Sequence, residues 1–154
     1  MCKNGFHFCN TLEETLQFYP LKDSRFFRIE TDGKVITSLA KNVAEKIKLV
    51  EEITDNILDE FIKSNSYNTR AELAKYGRPQ DLDILIYDEN WQVRCKVAKQ
   101  KRAKDLDILV KDEDKFVRYA VAEHNRPQDL EILKNDADPS IAQYAQKKLK
   151  ELKK

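Results

Sequence analysis

One stretch of the chain returns in its key letters further on. Asp88-Glu89-Asn90-Trp91-Gln92-Val93-Arg94-Cys95-Lys96-Val97-Ala98 returns, 24 residues on, as Asp112-Glu113-Asp114-Lys115-Phe116-Val117-Arg118-Tyr119-Ala120-Val121-Ala122. The segments between keep the same step: Arg78-Pro79-Gln80-Asp81-Leu82-Asp83-Ile84-Leu85, Arg102-Ala103-Lys104-Asp105-Leu106-Asp107-Ile108-Leu109 and Arg126-Pro127-Gln128-Asp129-Leu130-Glu131-Ile132-Leu133. A fixed period of this length marks a stacked-repeat architecture, because each unit is too small to bury its own apolar face and must lend it to a neighbour.

Each unit reads as two short helices. The apolar spacing predicts helices from Tyr67 to Tyr76, Pro79 to Tyr87, Trp91 to Gln100, Ala103 to Lys111, Lys115 to His124, Pro127 to Lys134, and Pro139 towards Leu152. Pro79, Pro127 and Pro139 fall in first turns, where a missing N–H costs nothing. Helices this short are marginal alone, so stacking has to stabilise them. Leu58 and Phe61 stand one period before Leu82 and Leu85, which starts the array near Asp55. The final unit departs from the pattern, with Ile141, Ala142, Tyr144 and Ala145 followed by the polar run Gln146 to Lys154. That run has the character of a terminal cap.

The first fifty residues lack the period. Gly5 to Cys9 alternates as a strand, and Asn10 or Thr11 is placed to cap a helix built on Leu12, Leu16 and Phe18 or Tyr19, ended by Pro20. Arg25 to Glu30 and Lys34 to Ser38 read as strands joined by a hairpin turn at Asp32-Gly33. Lys46 to Val50 alternates as a further strand, with a helix over Asn42 to Ile53 as the other reading. Thr54 or Asp55 then caps a helix carrying Ile57, Leu58, Phe61 and Ile62. The expected fold is α+β: a small α+β segment, 1–53, capping an α-solenoid over 54–154 that ends in the polar cap.

Charge and cysteine usage narrow the function classes. Charged residues are 36% of the 154-residue chain but cancel to net +1, so partners are sought in local patches rather than in an overall field. Three cysteines, Cys2, Cys9 and Cys95, show no paired spacing, which fits a reducing cytoplasm. No apolar run reaches the length of a membrane span, and the N-terminal residues have no secretory core. With glycine only at Gly5, Gly33 and Gly77, a glycine-rich phosphate loop is excluded.

Candidate contacts come from positions the repeat does not require to be apolar. Trp91 aligns with Lys115, and Phe116 with Gln92; large aromatics there are anchors for a partner or lids over a neighbouring unit. Tyr87 belongs to the same set, with Tyr76, Tyr119 and Tyr144 as weaker members. Asp81, Asp83, Asp105 and Asp107 offer acidic contacts for a basic partner site. Arg78, Arg102 and Arg126 with Lys99 and Lys101 make the alternative, a strip for a nucleic-acid backbone, against a plain mixed-charge surface. Arg70, Arg94 and Arg118 read as structural, pairing with acidic residues and loop carbonyls between units. His7 with Cys2 and Cys9 is too compact a set for a closed metal shell, and no positioned third group makes a His-Cys nucleophile. No metal, no cofactor and no catalytic residue is expected, and His124 is given no role.

The Pro-x-x-Leu-x-x-Leu segment, the following Asp and the Val-Arg-x-x-Val-Ala motif resemble the variant leucine-rich repeat over about 55–152, a two-helix solenoid related to the HEAT type. Better-known members carry a four-cysteine iron–sulfur module, and this chain has no such set. Cys2-x-x-Gly5-Phe6-His7-x-Cys9, Tyr19-Pro20, Arg25, Gly33 and Lys46 to Ile53 resemble part of an uncharacterised domain of phage and prophage proteins over 1–53. Together these resemblances imply a non-catalytic protein-binding module of a mobile element, for instance an inhibitor that sterically blocks a host defence complex such as a CRISPR effector. Direct RNA or DNA binding is the alternative. A second alternative, from Gly5-Phe6-His7-Phe8 and Tyr19, is a remnant ADP-ribosyltransferase-like domain.

Overall fold

The computed structural model describes residues 6–11, 14–15, 18–19, 24–37, 41–54, 58–59, 61–76 and 78–153. The fold is α+β, a three-stranded sheet followed, among the described residues, by seven helices. The chain divides into two compact units, 1–78 and 79–154.

In the first unit, β1 (Phe6–Phe8), β2 (Phe26–Ile36) and β3 (Asn42–Ile53) form an antiparallel sheet of order β1-β3-β2. The register runs from Phe26 opposite Ile53 to Ile36 opposite Val43. Asn42 to Ile53 is therefore strand and not helix. The hairpin turn expected at Asp32-Gly33 is also corrected, since β2 passes straight through these residues and its return to β3 comes after Ile36. Gly33 has φ +81°, a value that serves a bulge as well as a turn, and the ladder shifts register between Asp32 and Val35. A side chain at Gly33 would meet Glu45 Oε2 at 2.8 Å, the same carboxylate that accepts the Lys34 N–H at 3.2 Å. Among the described residues the expected four strands are thus three.

Thr11 caps the turn after β1: its Oγ1 accepts the Glu14 N–H at 3.2 Å while Glu14 Oε2 accepts the Asn10 N–H at 2.9 Å. Glu14 and Thr15 are helical, whereas Leu12, Leu16 and Pro20 lie outside the described residues, as do Cys2, Asp55 and Ile57. Leu58 and Ile62 are buried, and so are Ala71, Leu73 and Ala74 of helix α1 (Tyr67–Tyr76).

The second unit is three helix pairs. These are α2 (Pro79–Leu85) with α3 (Trp91–Ala98), α4 (Ala103–Leu109) with α5 (Lys115–Ala122), and α6 (Pro127–Leu133) with α7 (Pro139–Leu152). Equivalent positions are buried in every pair: Leu82, Leu106 and Leu130; Leu85, Leu109 and Leu133; Val93, Val117 and Ile141; Val97, Val121 and Ala145. Helices α3, α5 and α7 pack in sequence, forming one spine. Burying each of these leucine, valine and isoleucine side chains stabilises by roughly 1.5–3 kcal/mol, which seven-residue helices need because their own hydrogen bonds do not carry them.

The turn from one pair to the next is also periodic. Lys101 and Asn125 both adopt φ near +60°, reversing the chain after α3 and α5. Asn tolerates this left-handed conformation, whereas Lys is strained in it. In the last pair Leu149 holds the equivalent position, and α7 continues past it to Leu152.

Candidate functional site

The site lies at the loops that join the two helices of each pair. In Asp88-Glu89-Asn90 the first carboxylate accepts the Asn90 N–H at 2.9 Å, and Asn90 Oδ1 accepts the Gln92 N–H at 2.8 Å. Asp112-Glu113-Asp114 repeats both bonds at 2.8 Å, to Asp114 N and Phe116 N. Asp136-Ala137-Asp138 repeats them at 2.8 and 2.9 Å. The third residue of each motif, Asn90, Asp114 or Asp138, is therefore the N-cap of α3, α5 or α7.

Arginine locks each loop to the next. Arg94 Nε and Nη2 donate to Asp112 at 2.7 and 2.9 Å, while Nη1 donates to the carbonyls of Asp88 and Glu89 at 2.7 and 3.2 Å. Arg118 makes the same set to Asp136, at 2.7 and 2.9 Å, and to the carbonyls of Asp112 and Glu113 at 2.8 and 2.9 Å. The Arg94 and Asp112 side chains are only 9% and 7% exposed. Their hydrogen bonds, opposed by burial, raise the Arg94 pKa above its ordinary value, and Arg118 in turn holds the Asp136 carboxyl below the usual carboxylate range. This is the role the sequence assigns to the first arginine ladder. Ala142 takes the arginine position in the third pair, so the clamp is made twice in this unit.

The second ladder is not an open basic strip. Arg102 donates to the Pro79 carbonyl at 2.7 Å, to Asp83 at 2.6 Å, and to Asp105 at 2.6 and 2.8 Å. Arg126 donates to the Ala103 carbonyl at 2.9 Å and pairs with Asp107, its Nε standing 3.0 Å from Asp129 Oδ2. Arg78 pairs with Asp59. The turn arginines expected at the surface are thus largely covered, because one planar guanidinium can bridge the first helices of neighbouring pairs. Of the expected nucleic-acid residues, Lys99 and Lys101 are exposed.

The acidic expectations need a parallel correction. Asp81, Asp105 and Asp129 are buried and are not open acidic contacts. Burial pushes the Asp129 carboxyl up, against the pull of Arg126. Asp83 and Asp107 keep exposed side chains but are tied to the arginines, and Lys104 then Arg102 hold the Asp83 carboxyl below its ordinary range.

The aromatics come together. Trp91, the first residue of α3, and Phe116, the second of α5, stack across adjacent pairs with ring centroids 4.9 Å apart and planes 29° from parallel. The rings cover one another, as the lid reading expects, and still leave Trp91 37% and Phe116 52% exposed. Lys115 Nζ stands 5.6 Å from the Phe116 ring. Tyr87 is 72% exposed and lines a groove of about 400 Å³ between the first two loops. Tyr119 and Tyr144 pair separately, 5.6 Å apart.

His124 has a role the sequence did not reveal. Its Nε2 lies 2.9 Å from the Ala98 carbonyl, which can only accept, so the ring carries its proton there and ties the end of α5 to the end of α3. Half-buried Cys95 is a poor nucleophile, as burial raises its thiol pKa to about 11. In the first unit His7, Cys9 and Tyr19 line a cavity of about 770 Å³ with Lys41, whose Nζ lies 4.1 Å from the Phe18 ring and 3.3 Å from the Tyr19 hydroxyl. Among the described residues no His, Cys, Asp or Glu cluster is arranged to hold a metal, and no helix is long and apolar enough to cross a membrane.

Fold and site define an α+β chain whose C-terminal part is a helical repeat array. Residues 1–63 match the family model described as Domain of unknown function (DUF7666). No curated protein and no solved structure matches the chain.

Proposed function

We propose that the repeat array, of the variant leucine-rich-repeat kind, is a non-catalytic protein-binding module whose contact centres on Trp91 and Phe116. The observation that carries this reading is the stacked, half-exposed pair on rigid helix starts. Large aromatics held in one rotamer give contact area at little ordering cost, and they dominate protein interfaces. Tyr87 extends the patch. Inhibition of a larger host complex is a case of the same reading, since a rigid body acts by occupying a surface. The nucleic-acid alternative loses support from Arg102 and Arg126, whose guanidinium groups are occupied by Asp83, Asp105 and Asp107.

Affinity capture from host lysate with the wild-type chain and with Trp91→Ala tests this. A protein retained by the first should be lost by the second, with affinity falling by at least about 2 kcal/mol, the scale of an interface hot spot. Equal retention by both sinks the assignment of Trp91. Salt-sensitive binding of random oligonucleotides would transfer the function to the nucleic-acid reading.

A further inference from the structure

We infer that the cavity of the first unit is a binding site for an uncharged, ring-bearing small molecule that carries a carbonyl or hydroxyl oxygen at one end. This goes beyond the protein-binding reading, which concerns the other unit. The cavity, of about 770 Å³, falls within the roughly 300–1,000 Å³ of small-molecule sites. Its floor is one face of the sheet. Ile29 stands opposite Leu49 and Thr31 opposite Ile47 across β2 and β3, so the four side chains share a face, and all four line the cavity. Leu49 lies well inside β3 and is still 58% exposed. Apolar surface held against water in this way favours an apolar occupant. The walls are aromatic: Phe8, Phe26 and Phe61 line them, and a flat ring packs edge-on or offset against such side chains.

The charges around the cavity are engaged by the protein itself. Arg25 donates to Glu52 at 2.7 and 2.8 Å, and Arg28 donates to Glu51 at 3.1 Å. Lys41 stands over the Phe18 ring at 4.1 Å and donates to the Tyr19 hydroxyl at 3.3 Å. An anionic ligand would have to displace these contacts. A cationic one fares no better, since no Asp or Glu is among the described lining residues. The Tyr19 hydroxyl supplies the polar end of the site. Its oxygen accepts from Lys41, so the phenol keeps its own proton to donate, and an oxygen of the ligand is the acceptor that suits it. Apolar floor, aromatic walls and this oriented donor together fit a neutral ring compound with one polar end.

The full chain is titrated with three fluorescent probes. Prodan is a neutral naphthalene ketone, phenylnaphthylamine is neutral and has no ketone, and anilinonaphthalene sulfonate is phenylnaphthylamine with a sulfonate added. The two neutral probes should bind saturably, one per chain, and roughly tenfold tighter than the sulfonate, because burying an unanswered charge is costly. Leu49→Glu, at an exposed position, should abolish binding of both. Tyr19→Phe should weaken prodan roughly fivefold, the worth of one neutral hydrogen bond, and leave phenylnaphthylamine unchanged. Trp91→Ala, in the other unit, should change neither. Circular dichroism melting of each variant checks that the fold is retained. Should Leu49→Glu not fold, the contrast between the two neutral probes in Tyr19→Phe still decides, since that variant differs by one oxygen. No saturable binding of either neutral probe, tighter binding of the sulfonate, equal response of both neutral probes to Tyr19→Phe, or loss of binding with Trp91→Ala overturns the inference.

Discussion

Asp112→Asn isolates the charge in the joint between the first two helix pairs of the array. The substitution keeps the shape and an Oδ1 that can accept the Asp114 N–H, but it sets an amide NH₂ where Oδ2 stood, 2.7 Å from Arg94 Nε. Two donors then face each other, and a guanidinium that is 9% exposed loses its counter-ion. Removing one partner of a buried ion pair costs about 3–5 kcal/mol. Arg94 keeps its bonds to the Asp88 and Glu89 carbonyls, so the lower end, about 3 kcal/mol, is expected. That is a large part of the roughly 5–15 kcal/mol that holds an ordinary domain folded. Urea unfolding followed by Trp91 emission measures it. The control is Glu131→Gln, which breaks the exposed 2.7 Å pair with Lys134 and should leave the urea midpoint nearly unchanged. Arg94→Met combined with Asp112→Leu should recover much of the loss, because an apolar pair leaves no charge stranded. If Asp112→Asn stays within about 1 kcal/mol of the wild type, the joint is a solvated surface pair and the reasoning fails.

Lys101→Gly should stabilise the chain by up to about 1 kcal/mol, since a φ of 61° strains a lysine; a lowered melting temperature would count against that strain. Acid should weaken the array through Asp136. Its folded pKa is depressed, so its contribution is complete above the unfolded carboxylate value of about 4 and is lost as the pH falls through the folded one. Asp129, with its raised pKa, works the other way, and its cost at neutral pH is relieved on acidification. Urea midpoints measured against pH should therefore fall less steeply in Asp136→Asn than in the wild type, and equal slopes would exclude Asp136 as the source.

The helical half was legible because period and packing say the same thing. Each second helix starts where Trp91, Lys115 or Pro139 leads it expected, and Val93, Val117 and Ile141 do share a spine. The helices α2 to α5 end two residues earlier than the apolar pattern implies, since Ile86 and Val110 are buried from the turn rather than from the helix. The Asp-x-Asn and Asp-x-Asp capping pairs were visible as repeated letters, and their hydrogen bonding is a known habit of those side chains. The burial of Asp81, Asp105 and Asp129 was not visible, because a carboxylate inside a mixed-charge helix reads the same whether water or a guanidinium surrounds it. Gly33 was misread for a related reason, as one backbone conformation serves both a hairpin and a bulge. His124 sits at a position the repeat lets vary, which hid a bond made across pairs.

The span 103–126 carries both halves of each fastening. It offers Asp112 backwards to Arg94 and Arg118 forwards to Asp136, and Asp105 and Arg126 do likewise along the first helices. A second copy spliced in after Arg126 would find every guanidinium opposite a carboxylate at both seams. An array fastened in this way can lengthen by simple duplication, with no compensating change elsewhere, so the reach of its surface is open to selection independently of its stability.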